Sequence, residues 1–555
     1  LSGAITVTAG SIRLDEAGTL GSSVSMSGGT LDVDKTLTLS GALTQTADIV
    51  IDVATGMTLT YSGAAIGVGA NTITLSGGGS LVSGGLTLND AESKLLLNSI
   101  TVDSVSTSAN SSGLDVDANS SVTSLTVGHT TPVSIDTGIT LSGAITVTGG
   151  SIRLDEAGTL GSDVSMSGGI LDVDKTLTLS GALSHTADIT IDVKAGEVLT
   201  YSGAAVSLGA KTLTLIGGGT LSNTNALVLN NADSLLSLAG ILTIGDVDGT
   251  AASNSGKGIL VTSSATMGDY DLSAVSYLSL AANQTLAGQL NLKTNGELKT
   301  SGAGQYIGDI ALAGGKFSAT DNQVLGGTLS VTADSELTVS QGYTLTLSQA
   351  GGLALGGNAL TISGGGSLVS GGVTLNNADS KLLLNSITLD SASTTADSLG
   401  LDVNADSTVT ALSVGHITPV SIATGKSLSG AIAVTAGSLK LNETGTLAST
   451  VTMSGGTLDA DETLTVSGAL SHSADIAIDV ATGKTLTYSG SAISVGANTI
   501  TLSGGGNLVS GGLTLNDADS KLLLNSIILD SASTSANNLG IDVDANSTVT
   551  SLSVG

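Results

Sequence analysis

The chain copies itself. Leu1-Ser-Gly-Ala-Ile-Thr-Val-Thr8 returns unchanged from Leu141 and with one substitution from Leu428. Ser93-Lys-Leu-Leu-Leu-Asn-Ser-Ile100 returns from Ser380 and from Ser520, and the offset between those last two copies equals the offset of Leu141 from Leu1. Self-similarity at a fixed spacing is the mark of stacked modules, each burying its apolar face against the next. The units run over 1–140, 141–285, 286–427 and 428–555. The second drifts in its latter half. The third opens on Leu286-Ala-Gly-Gln-Leu-Asn-Leu-Lys293 where the first has Leu1–Thr8, and the fourth is cut short. Because the chain starts at the head of a unit and stops at Gly555, the counterpart of Gly128, it reads as an excerpt from a longer protein.

Inside each unit runs a shorter beat. Leu1-Ser-Gly, Leu20-Gly-Ser, Leu39-Ser-Gly, Tyr61-Ser-Gly and Leu81-Val-Ser open segments of about 20 residues. Each segment alternates apolar and polar side chains: Ile5 and Val7 with Thr6 and Thr8, Leu31 and Val33 with Asp32 and Asp34. A period of two is a strand with one buried face. Ala9-Gly10, Gly28-Gly29 and Gly77-Gly78-Gly79 stand between strands, where corners need positive φ. No stretch shows the 3.6-residue period of a helix. The pattern predicts an all-β parallel β-solenoid (β-helix) of about 20 residues per coil, built from four tandem units of about 140 residues. Some 28 laps at about 4.8 Å each would give a rod on the order of 130 Å long.

Composition agrees. Hydrophobic residues make up 40% of the chain, yet there are 1 Phe, 7 Tyr and no Trp, so medium-sized aliphatics must fill an interior of constant cross-section. With no Cys, disulfides and thiolate metal sites are excluded. The net charge of −30 opposes nucleic acid and anionic lipid, and favours solubility and attraction of divalent cations. No apolar run approaches the roughly 18–20 residues of a membrane span, so no membrane insertion is expected.

One segment per unit breaks the beat: Ser104–Gly113, Ser391–Gly400 and Ser531–Gly540, small and polar, read as surface loops suited to lateral contact. After it come Asp115-Val-Asp117-Ala-Asn119 and Asp542-Val-Asp544-Ala-Asn546, with Asp402-Val-Asn404-Ala-Asp406 in the third unit. Alternate oxygen ligands make Asp115, Asp117, Asn119, Asp542, Asp544 and Asn546 the calcium candidates. The pattern lacks the Gly at the sixth position and the Glu at the twelfth, and the second unit has Leu260 and Thr262 in place of the Asp pair. The plainer reading is a strand with Val inward and carboxylates in water. No other cofactor is expected.

Gly256-Lys257-Gly258 lacks the spacing and the Ser or Thr of a phosphate loop. His185 and His472 are equivalent, and Gln45 holds that place in the first unit, so an exposed polar position is expected rather than a catalytic one. Outward Thr pairs such as Thr58/Thr60 and Thr72/Thr74 are favoured in strands in any case. Enzymes acting on polysaccharides gather carboxylates with basic and aromatic groups in a groove. Arg and Lys are scarce here and aromatics nearly absent, and no enzyme activity is expected.

The cadence of Gly28-Gly-Thr-Leu-Asp-Val-Asp34, Thr36-Leu-Thr-Leu-Ser-Gly-Ala-Leu43 and Ser76-Gly-Gly-Gly-Ser-Leu-Val-Ser-Gly-Gly85 resembles the β-helical passenger and stalk regions of large bacterial surface proteins, the autotransporter and filamentous-haemagglutinin-like adhesins. The resemblance implies an extracellular or surface-attached fibre serving adhesion, matrix or sheath formation. Expected partners are further copies or other surface and matrix proteins, with a glycan-gripping adhesin shaft as the alternative.

Overall fold

The computed structural model describes residues 3–555, which are built from strands and corners without a helix among them. They form two compact units. One runs to Tyr270 and includes Gln284–Leu286; the other comprises Asp271–Asn283 and Ala287–Gly555. Each unit is a parallel β-solenoid, and each extended strand pairing described joins a strand to its counterpart one lap on.

A typical lap has three strands. In the first unit Gly18–Leu20, Val24–Met26 and Thr30–Val33 make one lap, and Leu37–Leu39, Leu43–Gln45 and Ile49–Val53 make the next. Val24 pairs with Leu43 and Leu31 with Ile51, so the lap has the length that the sequence beat predicts. The pleat sends alternate side chains inward, and parallel register stacks like on like. Leu31, Ile51, Leu75, Leu97, Val116 and Ile135 follow one another as register partners, all 0% exposed. In the second unit Leu298, Phe317, Leu337, Ile362, Leu384 and Val403 form the equivalent column, also 0% exposed, and it takes in the chain's single Phe. Each such side chain contributes about 1.5–3 kcal/mol by leaving water.

The corners are stapled by side chains from the following lap. Gly84 and Gly85 turn the chain at φ 66° and 111°. The Asp103 carboxylate accepts the Ser83 and Gly84 amides at 2.9 and 3.0 Å and the Ser83 hydroxyl at 3.1 Å. Asp390 and Asp530 do the same for Ser370-Gly371 and Ser510-Gly511. Tyr61, Tyr201 and Tyr488 are corner pins, each accepting a backbone amide of the preceding lap. The buried Tyr201 hydroxyl accepts the Leu183 amide at 3.1 Å and donates to the Ala204 carbonyl at 2.5 Å.

One expectation is overturned. The segment from Ser104 is not a surface loop: Thr101–Thr107 is a strand, paired with Ser120–Val127 in parallel, and Val105 is buried. Thr388–Thr394 and Ile528–Thr534 repeat it, with Ala392 and Ala532 buried. In these laps the first two strand positions merge into one bent strand. At the bend the inward residues, Val102 and Val105, are three apart instead of two, which hides the strand from a period-two reading. The stretch left as a connection is 108–112 and its counterparts, where Leu399 and Leu539 stand 53% and 65% exposed.

Candidate functional site

The calcium candidates divide between two tasks. Asp115 and Asp117 point outward from the strand Gly113–Ala118, on either side of buried Val116. Lys94, on the paired strand Lys94–Asn98 one lap earlier, reaches Asp115 at 2.6 Å. The pair recurs as Lys381–Asp402 at 2.5 Å and Lys521–Asp542 at 3.4 Å. Burial, then the charges of Asp115 and Asp136, push the Asp117 carboxyl up. Asn119 lies past the strand end, where its Oδ1 accepts the Thr140 amide of the next lap at 2.9 Å; Asp406 accepts the Ser427 amide likewise at 2.8 Å. Asp544 and Asn546 are exposed in and just beyond the strand Gly540–Ala545. Among the described residues no group of three or more His, Asp or Glu side chains is placed to hold a metal ion.

Asn119 also borders a shallow cavity of about 420 Å³ rimmed by hydroxyls of Thr101, Ser121 and Ser142. The third unit repeats it around Asp406 at about 180 Å³. Ser99 and Ser386, on the rims, hold a left-handed φ of 57°. Half-buried Gln45 donates to the carbonyls of Gly67 and Val68 at 2.6 and 3.0 Å, and His472 contacts the Ser494 carbonyl at 2.9 Å, so this polar position bridges laps rather than facing open water.

Acidic columns lie on the outward face of the strands that carry the aliphatic column, such as Thr30–Val33 and Ile49–Val53. Register stacks Arg13, Asp32 and Asp52; Arg153, Asp172 and Asp192; and Lys440, Asp459 and Asp479. The cation at the foot of each column closes on neighbouring carboxylates. Arg153 donates to both oxygens of Asp155 at 2.7 and 2.9 Å, and Lys440 meets Asp461 at 2.8 Å. Half-buried Asp172 has its carboxyl pushed up to about 6, by burial first and then by the charges of Asp174 and Asp192, against the pull of Arg153. Burial pushes Asp32, Asp192 and Asp459 in the same direction.

The diverged laps of the compact unit that begins at Asp271 carry a different column. Val275–Leu280, Glu297–Ser301, Lys316–Ala319, Ser335–Val339 and Ala359–Ser363 are successive strands. Their register stacks Glu297, Lys316, Glu336 and Thr361 outward, with Tyr277 and Lys299 alongside. The Lys316 ammonium lies 3.8 Å from Glu297 and 3.5 Å from Glu336. The Lys299 ammonium lies 3.7 Å from Glu297 and 5.5 Å from the Tyr277 ring centre. A cavity of about 420 Å³ opens over this column.

The chain matches no protein-family model, no curated protein and no solved structure. Its chemistry is therefore read from its own geometry. The regular laps offer closed ion pairs and stapled corners, which hold laps together. The diverged laps gather carboxylates, ammonium groups and a tyrosine on one face, the combination that composition alone made look absent. Individually these residues carry no signal in the sequence. Lys316 follows Glu297 by one lap and Glu336 follows Lys316 by the next, and that spacing was the available clue.

Proposed function

We propose that this chain is a structural component of an extracellular fibre, stalk or sheath at a bacterial cell surface, supplying length and stiffness and assembling laterally with its neighbours. The observation that carries this reading is the unbroken aliphatic column from Leu31 to Ile135, lap upon lap, with its counterpart from Leu298 to Val403. Inward residues of one type at each level resist compression, and ladders of backbone hydrogen bonds run between successive laps within each unit. The net charge of −30 keeps like bodies dispersed until a divalent cation bridges them. The likeness in rhythm to autotransporter and filamentous-haemagglutinin-like adhesins supports the same assignment. No catalytic role is part of it.

Sedimentation and negative-stain imaging of the purified chain, with calcium and then with a chelator, test it. Side-by-side bundles that form with calcium and disperse on chelation are expected. A chain that stays monomeric throughout and instead binds a ligand saturably would replace this reading with a second one, an adhesin shaft that grips a glycan or partner protein. The second reading is favoured by the charged cavity over Glu297, Lys316 and Glu336.

A further inference from the structure

We propose that the cavity over Glu297, Lys316 and Glu336 is a binding site for a saccharide that is uncharged or bears amines, and that it excludes acidic ones. The proposal rests on the second reading above and names its site and its ligand class.

The argument starts from unspent hydrogen bonds. Charge-assisted contacts close to about 2.7–2.9 Å when nothing holds the partners apart. In the regular laps some pairs close, at 2.6 Å for Lys94–Asp115 and 2.8 Å for Lys440–Asp461, and others stay open, at 3.4 Å for Lys521–Asp542 and 3.6 Å for Lys194–Asp174, but none of those open pairs lines a cavity of this size. Lys316 stands 3.8 and 3.5 Å from its two carboxylates. Glu336 is 55% exposed, while Glu297 is largely buried and is positioned by the Ser318 hydroxyl at 2.6 Å. An ammonium with donors to spare between two carboxylates with lone pairs to spare matches the alternating donors and acceptors of a vicinal diol.

The cavity is held open by backbone. Gly296, Gly314 and Gly315 form its corner. A Cβ on Gly315 would lie 2.7 Å from the carbonyl oxygens of Leu292, Lys293 and Gly296, and one on Gly296 would lie 2.1 Å from that of Leu272. Backbone crowding therefore keeps both of these lining positions free of a side chain. Asn295, Asp334 and Thr361 add polar groups to the rim. The volume of about 420 Å³ falls among small-ligand pockets of about 300–1,000 Å³.

Charge selects the class. Glu297, Asp334 and Glu336 outnumber Lys316 even with Lys299 counted beside Glu297, so uronates and phosphates are repelled. Lys316 at the centre repels a bare metal ion. An apolar ligand would strand the charged groups without partners. A neutral or amine-bearing polyhydroxyl compound satisfies all of them.

Calorimetry on the whole chain tests the site, with neutral hexose oligosaccharides, glucosamine oligomers and uronate oligomers as probes. Binding of one of the first two sets is expected. Glu336→Gln and Lys316→Met are each expected to weaken it about tenfold or more, the loss of one charge-assisted hydrogen bond. Lys440→Met, in a regular column, is expected to leave it unchanged, and circular dichroism identical to the parent chain shows the variants fold. Binding that survives both site variants overturns this site and leaves the adhesin reading standing. Tighter binding of uronates overturns the ligand class. Absence of any saccharide binding overturns the site, while the adhesin reading then stands or falls on a protein partner.

Discussion

Asp172 and Asp192 are register partners on neighbouring parallel strands, so two carboxylates project from the same face one lap apart. Burial first, then Asp174 and Asp192, push the Asp172 carboxyl up to about 6, against the pull of Arg153. An unfolded Asp titrates near 3.9, so between about pH 4 and 6 the folded chain holds a proton that the unfolded chain releases. The resulting stabilisation is complete below about pH 4 and is lost as pH rises through about 6. Asp172→Asn is therefore expected to stabilise the chain at pH 7–8 by on the order of 1 kcal/mol, discounted for solvent access, and to make no difference near pH 4. Thermal melts of both proteins across pH 4–8 check this; a gap that widens toward acid would refute it.

The Asp103 staple predicts a local loss. Asp103→Ala leaves the Ser83 and Gly84 amides and the Ser83 hydroxyl without their acceptor. Opening of that corner should become easier by about 1.5–3 kcal/mol, the range for hydrogen bonds to a charged group. Hydrogen exchange at the Ser83 and Gly84 amides reads it, with the Ser370 and Gly371 amides, stapled by Asp390, as an internal control expected to stay protected.

Leu97 sits between Leu75 and Val116 in the aliphatic column, with no exposure to solvent. Leu97→Ala should cost about 2–5 kcal/mol through lost burial and the cavity left behind. In a stacked array the damage spreads mainly to adjacent laps. Exchange is expected to rise in 72–76, 94–98 and 113–118 and to stay unchanged in 476–503. A uniform rise along the chain would contradict lap-by-lap stability.

Tyr201→Phe keeps the ring and removes a hydroxyl that bonds Leu183 and Ala204. The Leu183 amide loses its acceptor inside a corner, at a cost of about 1–2 kcal/mol. Denaturant unfolding of the Tyr201 lap, followed by exchange, should show that decrease, and Tyr61→Phe should match it because Tyr61 accepts the Leu43 amide in the same way.

Much of the fold was legible because its cause is local. Ile5/Val7, Leu31/Val33 and their copies announce strands, and the glycines announce corners. Where the period changes, the reading fails: the longer step from Val102 to Val105 made a bent strand look like a loop. The outward placement of Asp115 and Asp117 followed from alternation. That Lys94 answers Asp115, and that Asn119 serves Thr140, depends on which residue of the neighbouring lap lies alongside. Laps of unequal length make that register unreadable by counting: Asp32 pairs with Asp52, but Asp52 reaches its own partner, Ser76, only after a longer lap.

By itself the sequence determined that this chain winds into repeated aliphatic-cored laps, because alternation and copy spacing are properties of the chain alone. The tertiary structure decided which outward side chains meet. Lap register sets distances between side chains a full winding apart, and it is register that sets Asp172 beside Asp192, closes Lys94 on Asp115, and holds Lys316 open between Glu297 and Glu336.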